Sequence, residues 1–294
     1  MLTQFSGIFP YLVSPVDNHT GRVLEHPLRK LVEHLIGCGV QGLSPLGSTG
    51  EFAYLSLEQR EDIVRIVLDQ AAGRVPVIAG VAGFSTHEAL RQTERYSRLG
   101  VDGIVLIMQR MFPVSPAGQM HFFTDVAEKF SETSMTLYTN PGLLGADIPL
   151  EVLDELSYVN NIEYIKDASG NTGRILTMIN RFGSRLRIFS ASAHIPLVVF
   201  QFGGVGWMAG PACVIPKQCV ELFNLFQANQ LEQAMARQKQ LWRINEVFTQ
   251  YALAACIKAA LNIQGFAVGD PISPQQPLST DAVNALHQVL AEIQ

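Results

Sequence analysis

The run Gly103-Ile-Val-Leu-Ile-Met108, followed by Pro116 to Phe130 at helical spacing, sets the pattern from which the fold is read. Every position after Gly103 is apolar, where a half-buried strand would show only alternate ones. Such a strand is covered on both faces, as in a parallel sheet packed between helices. Working outward, the same unit recurs. Strands are predicted at Gly7–Val13, Val40–Leu46, Val75–Ala79, Gly103–Met108, Met135–Tyr138, Ile162–Lys166, Leu186–Phe189 and Val205–Met208. Helices are predicted between and after them at His26–Cys38, Ser56–Ala72, Thr86–Leu99, Pro116–Phe130, Pro149–Tyr158, Thr172–Phe182, Ile195–Phe202 and Pro211–Gln227. The second helix is the best signalled, since Ser56 can cap it and Leu57, Arg60, Ile63, Val64 and Val67 follow helical spacing.

Eight strand–helix units in strict alternation fit a closed (β/α)₈ TIM barrel better than a doubly wound sheet. The predicted organisation is therefore an α/β barrel over residues 1–227 and a C-terminal helical extension over residues 228–294. Within the extension, Leu231 to Gln294 reads as three helices linked by Gly265 to Pro277.

Composition narrows the function. The chain of 294 residues is 48% hydrophobic and 16% charged, which predicts a large core and excludes intrinsic disorder. A net charge of −5 gives no basic face, so neither nucleic acid nor an anionic membrane is an expected partner. Cys38, Cys213, Cys219 and Cys256 lack metal-site spacing, and no signal peptide opens the chain; buried free thiols and a cytoplasmic location are expected. The apolar stretch Ile195 to Pro216 is long enough to cross a bilayer, but Pro196, Gly203, Gly204, Gly206, Gly210 and Pro211 punctuate it. It reads as a buried helix, an interior strand and the start of another helix.

In such a barrel, chemistry gathers at the carboxyl ends of the strands. Lys166 stands there, in Asn161-Ile-Glu-Tyr-Ile-Lys-Asp-Ala-Ser-Gly-Asn171. A buried ammonium is costly unless paired or neutralised, and a neutral lysine can attack a carbonyl to form a Schiff base. At the ordinary pKa of about 10.4, only about one lysine in 2,500 is neutral at pH 7. A strand-end lysine reaching water, or pairing with Asp167, is the simpler alternative. After the second strand, Gly47-Ser48-Thr49-Gly50-Glu51 offers two hydroxyls in a glycine-rich turn, suited to a carboxylate or phosphate. It lacks the Gly-Lys-Ser/Thr of a nucleotide P-loop. After the fifth, Tyr138 precedes the turn Thr139-Asn140-Pro141-Gly142 and is either a candidate proton donor or an amphipathic core residue with a wet tip, the simpler reading for a tyrosine taken alone. His194 follows the seventh strand. Gly204-Val-Gly206-Trp-Met-Ala209 imitates a dinucleotide fingerprint, but its glycines precede the strand. No cluster has metal-ligand spacing, so no metal is expected.

Taken in order, Gly47-Ser48-Thr49-Gly50-Glu51, Tyr138-x-x-Pro141, Ile165-Lys166-Asp167 and Gly203-Gly204-x-Gly206 resemble the dihydrodipicolinate synthase / N-acetylneuraminate lyase family over nearly the whole chain. The resemblance implies a (β/α)₈ barrel with a helical extension, assembled as a homotetramer, a dimer of dimers. It implies a class I lyase needing no cofactor, with pyruvate or a related 2-oxo acid held as a Schiff base on Lys166. Ser48 and Thr49 match the pair holding the 2-oxo acid carboxylate. Tyr138 matches the tyrosine that shuttles protons, and Gly47, Met208 and Leu143 fall at substrate-binding positions.

The chain also departs from the synthase pattern. Leu143 stands where the synthase has an arginine that grips the aldehyde's carboxylate, and Leu144 follows it. The loop Gln109-Arg110-Met111-Phe112-Pro113 lacks the second relay tyrosine, leaving Met111 in its place. Ser48 replaces a threonine, Ser192-Ala193 replaces an Asp-Asp pair, and Thr139-Asn140 stands where the synthase has Asn first. Donor-side chemistry is expected to be intact and acceptor recognition rebuilt around a less acidic or more apolar aldehyde. Arg110 is a possible source of charge for a sugar acid. A hydro-lyase on the same lysine and a non-catalytic barrel binding a 2-oxo acid are the alternatives.

Overall fold

The computed structural model describes residues 4–191 and 195–293. Seven strands form one sheet: β1 (Gly7–Pro10), β2 (Ile78–Gly83), β3 (Gly103–Met108), β4 (Ser134–Thr139), β5 (Ile162–Asp167), β6 (Arg187–Ser190) and β7 (Gly206–Ala209). Their hydrogen-bonded order is β1-β7-β6-β5-β4-β3-β2, and each pair from β2 to β7 is parallel. All residues of β2, β3 and β4 are buried, the Ser134, Thr136 and Thr139 hydroxyls of β4 included, as strands covered on both faces require. The chain divides into two compact units, Met1–Ser6 with Ile78–Trp207, and Gly7–Val77 with Met208–Gln294.

The first unit carries β2 to β6 with α3 (Thr86–Leu99), α4 (Pro116–Lys129), α5 (Pro141–Leu144), α6 (Leu150–Leu156), α7 (Thr172–Phe182) and α8 (Pro196–Gln201). Side-chain caps set several helix starts: Ser85 accepts from the Glu88 amide, Ser115 from Gly118 ahead of Pro116, and Asn171 from Arg174. The second unit holds β1, α1 (Glu25–Gly37), α2 (Leu57–Ala71), α9 (Pro216–Gln227) and the C-terminal helices α10 (Leu231–Phe248), α11 (Leu253–Ile263) and α12 (Thr280–Ile293). Ser56 and Gln59 close the predicted start of α2 as a full capping box.

The departures from the predicted elements have local causes. Residues Val40–Leu46 do not form a ladder; they make isolated parallel bridges, Tyr11↔Ser44 and Leu43↔Val77. Pro45 has no amide to donate, and Gly42 lies so close to Phe9 that an added Cβ would sit 2.0 Å from the ring. β2 runs to Gly83 instead of ending at Ala79, and it begins only after Pro76. The predicted helix from Pro211 is a 3₁₀ turn at Pro211–Cys213, and α9 restarts at Pro216. Pro216 could not continue an earlier helix, because its ring removes one helical hydrogen bond and crowds the preceding turn. The predicted turn at Thr139–Gly142 runs into the short helix α5. Asn140 at its N-cap, Pro141 at its first position and left-handed Gly145 at its end are the signals that mark it.

No helix among the described residues is long and apolar enough to cross a membrane. Cys213, Cys219 and Cys256 are buried free thiols, and Cys38 is half-buried.

Candidate active site

Lys166 occupies the penultimate position of β5 and is only 4% exposed. Its register partner on β4 is Tyr138, and its ammonium nitrogen lies 4.0 Å from the centroid of the Tyr138 ring. Burial pushes the Lys166 pKa below the ordinary lysine value, while the charge and hydrogen bonding of the Tyr138 phenol push it back up. The balance is downward, toward the neutral amine a nucleophile needs.

The simpler reading, a lysine that reaches water, fails on burial. The alternative partner Asp167 is committed elsewhere. Adjacent strand residues face opposite sides, and Asp167 accepts from the Ser169 amide at 2.9 Å and from Arg174 Nε at 2.9 Å. Asp167 is fully buried and Arg174 nearly so, which makes this ion pair a structural clamp.

Tyr138 is itself 4% exposed. Asn140 Nδ2 donates to its Oη at 2.8 Å, while Asn140 Oδ1 accepts from the Leu143 amide at the start of α5. One side chain thus caps the helix and orients the phenol. With the phenol oxygen serving as acceptor, the phenol's own proton is the one it can give. Asn140 is a functional candidate that sequence reasoning missed; an Asn-Pro pair directly after a strand is the signal.

The segment after α5 is fastened on two sides. Arg110 donates Nε to the Leu144 carbonyl and Nη2 to the Ala146 carbonyl, both at 3.0 Å. Thr139 Oγ1 donates to Asp147 at 3.1 Å and accepts from the Ile148 amide, and Arg174 Nη2 donates to the Ile148 carbonyl at 2.7 Å. Arg110 therefore holds its neighbouring segment instead of reaching out as a free cation. Leu143, Met111 and Phe112 are exposed at 57%, 78% and 75%. All three are large apolar side chains turned to solvent. Ser192, Ala193 and His194 lie outside the described residues.

In the second unit, the turn Gly47–Glu51 is closed by hydrogen bonds from the Gly50 amide to the Gly47 carbonyl and from the Glu51 amide to the Ser48 carbonyl, at 2.9 and 3.0 Å. Those two amides are thus spent inside the turn, and the predicted anion nest is narrower than a fully open one. Ser48 is partly exposed and Thr49 buried. The positive φ of Leu46 (67°) and Glu51 (54°) brackets the turn, an uncommon conformation for side-chain-bearing residues and a frequent mark of functional loops.

Close packing defines the walls of this turn. A Cβ on Gly47 would meet the Tyr11 ring at 1.9 Å, and one on Gly210 would meet Thr49 Oγ1 at 2.5 Å. Gly47 is thus required by packing against Tyr11. Met208, on β7, is fully buried.

Comparison with known proteins gives one consistent result. A family model described as the dihydrodipicolinate synthetase family matches residues 4–293. The 4-hydroxy-tetrahydrodipicolinate synthase of Methanospirillum hungatei is 30% identical over 290 residues, covering 98% of this chain and 99% of that protein. The crystal structure of dihydrodipicolinate synthase DapA-2 from Bacillus anthracis superposes with a TM-score of 0.93 at 27% identity, covering all of both chains. A structure described as the first monomeric dihydrodipicolinate synthase variant shares the fold, with a TM-score of 0.92 at 24% identity over 98% of this chain and 96% of that one.

Proposed function

The chain belongs to the dihydrodipicolinate synthetase family, and from that premise we propose that it is a Schiff-base lyase joining pyruvate, or a related 2-oxo acid, to an aldehyde, or running that reaction in reverse. The observation that carries the reading is Lys166: a buried lysine at a strand end, its pKa lowered by burial, with a phenol against it. The fold we assign is the (β/α)₈ barrel, with the bridged segment at Leu43–Ser44 as its reduced eighth strand.

The neutral Lys166 amine attacks the keto carbon, and the resulting carbinolamine loses water to give a cationic imine. That imine draws electron density from the adjacent carbon, which gives up a proton and becomes an enamine. The enamine attacks the aldehyde carbon, and hydrolysis of the new imine returns free Lys166. Each stage moves a proton near the imine nitrogen or the carbonyl oxygen, and Tyr138, oriented by Asn140, supplies and recovers it. Ser48 and Thr49 receive the carboxylate of the 2-oxo acid. The assignment of these two rests on the family pattern and on the turn's own geometry.

The acceptor differs from that of the synthase. With Leu143 at the arginine position, and Arg110 bonded to the Leu144 and Ala146 carbonyls, neither residue offers a bidentate clamp for a second carboxylate. The exposed Leu143, Met111 and Phe112 favour an aldehyde with an apolar body. Assembly as a homotetramer, a dimer of dimers, is part of the proposal and rests on the family pattern.

Borohydride reduction with pyruvate, followed by peptide mass analysis, tests the reading. A stable adduct on Lys166 supports it. An adduct elsewhere, or none, removes the Schiff base from the account and leaves the non-catalytic 2-oxo-acid-binding barrel. Product analysis with pyruvate and an aldehyde panel separates carbon–carbon bond formation from a hydro-lyase reaction on the same lysine.

A further inference from the structure

The turn that carries Ser48 and Thr49 ends on a fully buried charge. Glu51 Oε2 lies 2.6 Å from Lys258 Nζ, and both side chains have no exposed surface. Glu51 Oε1 accepts from the Ile272 amide at 2.7 Å and from Gln275 Nε2 at 2.9 Å. Lys258 Nζ also donates to the Asp270 carbonyl at 2.9 Å. Lys258 lies in the middle of α11, within the apolar run Ala254-Ala-Cys-Ile-Lys-Ala-Ala-Leu261. The turn is thereby pinned to α11 and to the segment that follows it.

Stability alone does not explain this arrangement. Desolvating two charges costs several kcal/mol per ion, and apolar residues of similar volume often do as well or better. What the pair supplies is direction. A carboxylate anchored on both oxygens fixes its own backbone, and Glu51 is held at a φ of 54° that an unanchored residue would tend to leave. Its amide donates to the Ser48 carbonyl at 3.0 Å, so the anchored residue is bonded directly to the residue presenting the first hydroxyl. On the other side, Ile257, the residue before Lys258, packs with Thr49 around Gly210: a Cβ there would meet Ile257 Cδ1 at 2.4 Å and Thr49 Oγ1 at 2.5 Å. Two neighbouring residues of α11 therefore act on the last residue of the turn and on its middle. Ser14 Oγ adds a third tie, donating to the Gly50 carbonyl at 2.6 Å.

We propose that Glu51 and Lys258 are positioning residues: through the buried pair, α11 sets the conformation in which Ser48 and Thr49 receive the substrate carboxylate. The C-terminal extension is then part of the substrate-binding machinery and not merely an appendage. This inference rests on the Schiff-base reading for the identity of the ligand, and its test keeps the two apart.

The test is borohydride trapping on Lys166 as a function of pyruvate concentration. The variants are Glu51→Gln, Lys258→Met and the double variant Glu51→Gln/Lys258→Met, each checked by thermal melting. The double variant matters most, because it removes both charges and leaves neither one buried without its partner. The expected result is a half-saturating pyruvate concentration raised by about ten- to a hundredfold, the size of one or two weakened carboxylate hydrogen bonds, with the trapping rate at saturation little changed. A merely structural pair would lower the melting temperature and the trapped fraction at saturation while leaving half-saturation where it was. That outcome overturns the proposal. If the double variant does not fold, Lys258→Arg, which keeps the charge but moves it, is read on the same scale with the same two outcomes. Failure of the wild-type protein to trap pyruvate would instead overturn the Schiff-base reading.

Discussion

Replacing Tyr138 by phenylalanine removes one oxygen atom from the centre of the site and leaves almost everything else in place. The ring persists, so the surface over which Lys166 Nζ sits at 4.0 Å is kept. The lost interactions are the 2.8 Å hydrogen bond from Asn140 Nδ2 and the phenol's hydrogen bond with Lys166; Asn140 is only partly buried, so water can take the vacated role there. A stability loss of about 1–3 kcal/mol is expected, the net value of two such bonds. The kinetic effect should be far larger. A positioned acid–base group contributes roughly 10²–10⁴ in rate, equivalent to about 2.7–5.5 kcal/mol of barrier at roughly 1.36 kcal/mol per decade. Steady-state turnover with pyruvate and a productive aldehyde should fall by that factor, while borohydride still traps an adduct on Lys166, because the nucleophile itself is intact. Melting in denaturant, run alongside, separates the two effects. Turnover like that of the wild type would remove Tyr138 from the mechanism. Loss of the adduct in a stably folded variant would show that the phenol seats the lysine instead of moving protons.

Two further outcomes follow from the same groups. Because burial holds the Lys166 pKa down, the unfolded chain binds more protons at this position than the fold does between the folded and the ordinary lysine values; the fold gains stability as pH rises across that window. The rate of adduct trapping, which needs the neutral amine, should rise through an inflection below the ordinary value of about 10.4. Tyr138→Phe should move that inflection lower still, since Tyr138 acts to raise it; an inflection at the ordinary lysine value would contradict the burial argument. Separately, Arg174→Ala leaves the fully buried Asp167 without its partner at 2.9 Å and should cost about 3–5 kcal/mol in urea unfolding, a loss that would be absent if the pair were an ordinary surface bridge.

The strands and helices that hold Lys166 and Tyr138 were legible because their signals are local and redundant. Gly103–Met108 is apolar at every position after its glycine, Ile162–Lys166 carries Ile162, Tyr164 and Ile165, and Ser56, Ser85, Ser115 and Asn171 mark helix starts by chemistry that acts within three residues. The misreadings arose where backbone constraints compete with apolar pattern. Val40–Leu46 looks like a strand in composition, yet Pro45 and the close approach of Gly42 to Phe9 confine it to two bridges. Strand β2 extends through Gly80 and Gly83, which read as turn formers when their neighbours are unknown. In the site, neither the lysine nor the tyrosine is decisive alone; their convergence with the hydroxyl turn at strand ends is what singles them out. Their orientation did not stand out, because it depends on Asn140, a helix cap two positions from Tyr138. Arg110 carries no local sign of its engagement, because the Leu144 and Ala146 carbonyls that take its donors lie more than thirty positions away. The Glu51–Lys258 pair was the least legible of all, since its partners are more than two hundred positions apart and no local rule joins them. A lysine within the run Ala254–Leu261 was the available hint, for an ammonium on an apolar helix face calls for a counter-charge.

The central claim is that a 2-oxo acid is held covalently on Lys166, and trapping tests it most directly. Incubation with pyruvate and borohydride should add one reduced pyruvate per chain, on the peptide containing Lys166, and Lys166→Ala should abolish both that adduct and turnover while the fold persists. An unmodified Lys166, or a Lys166→Ala variant that turns over like the wild type, would contradict the account.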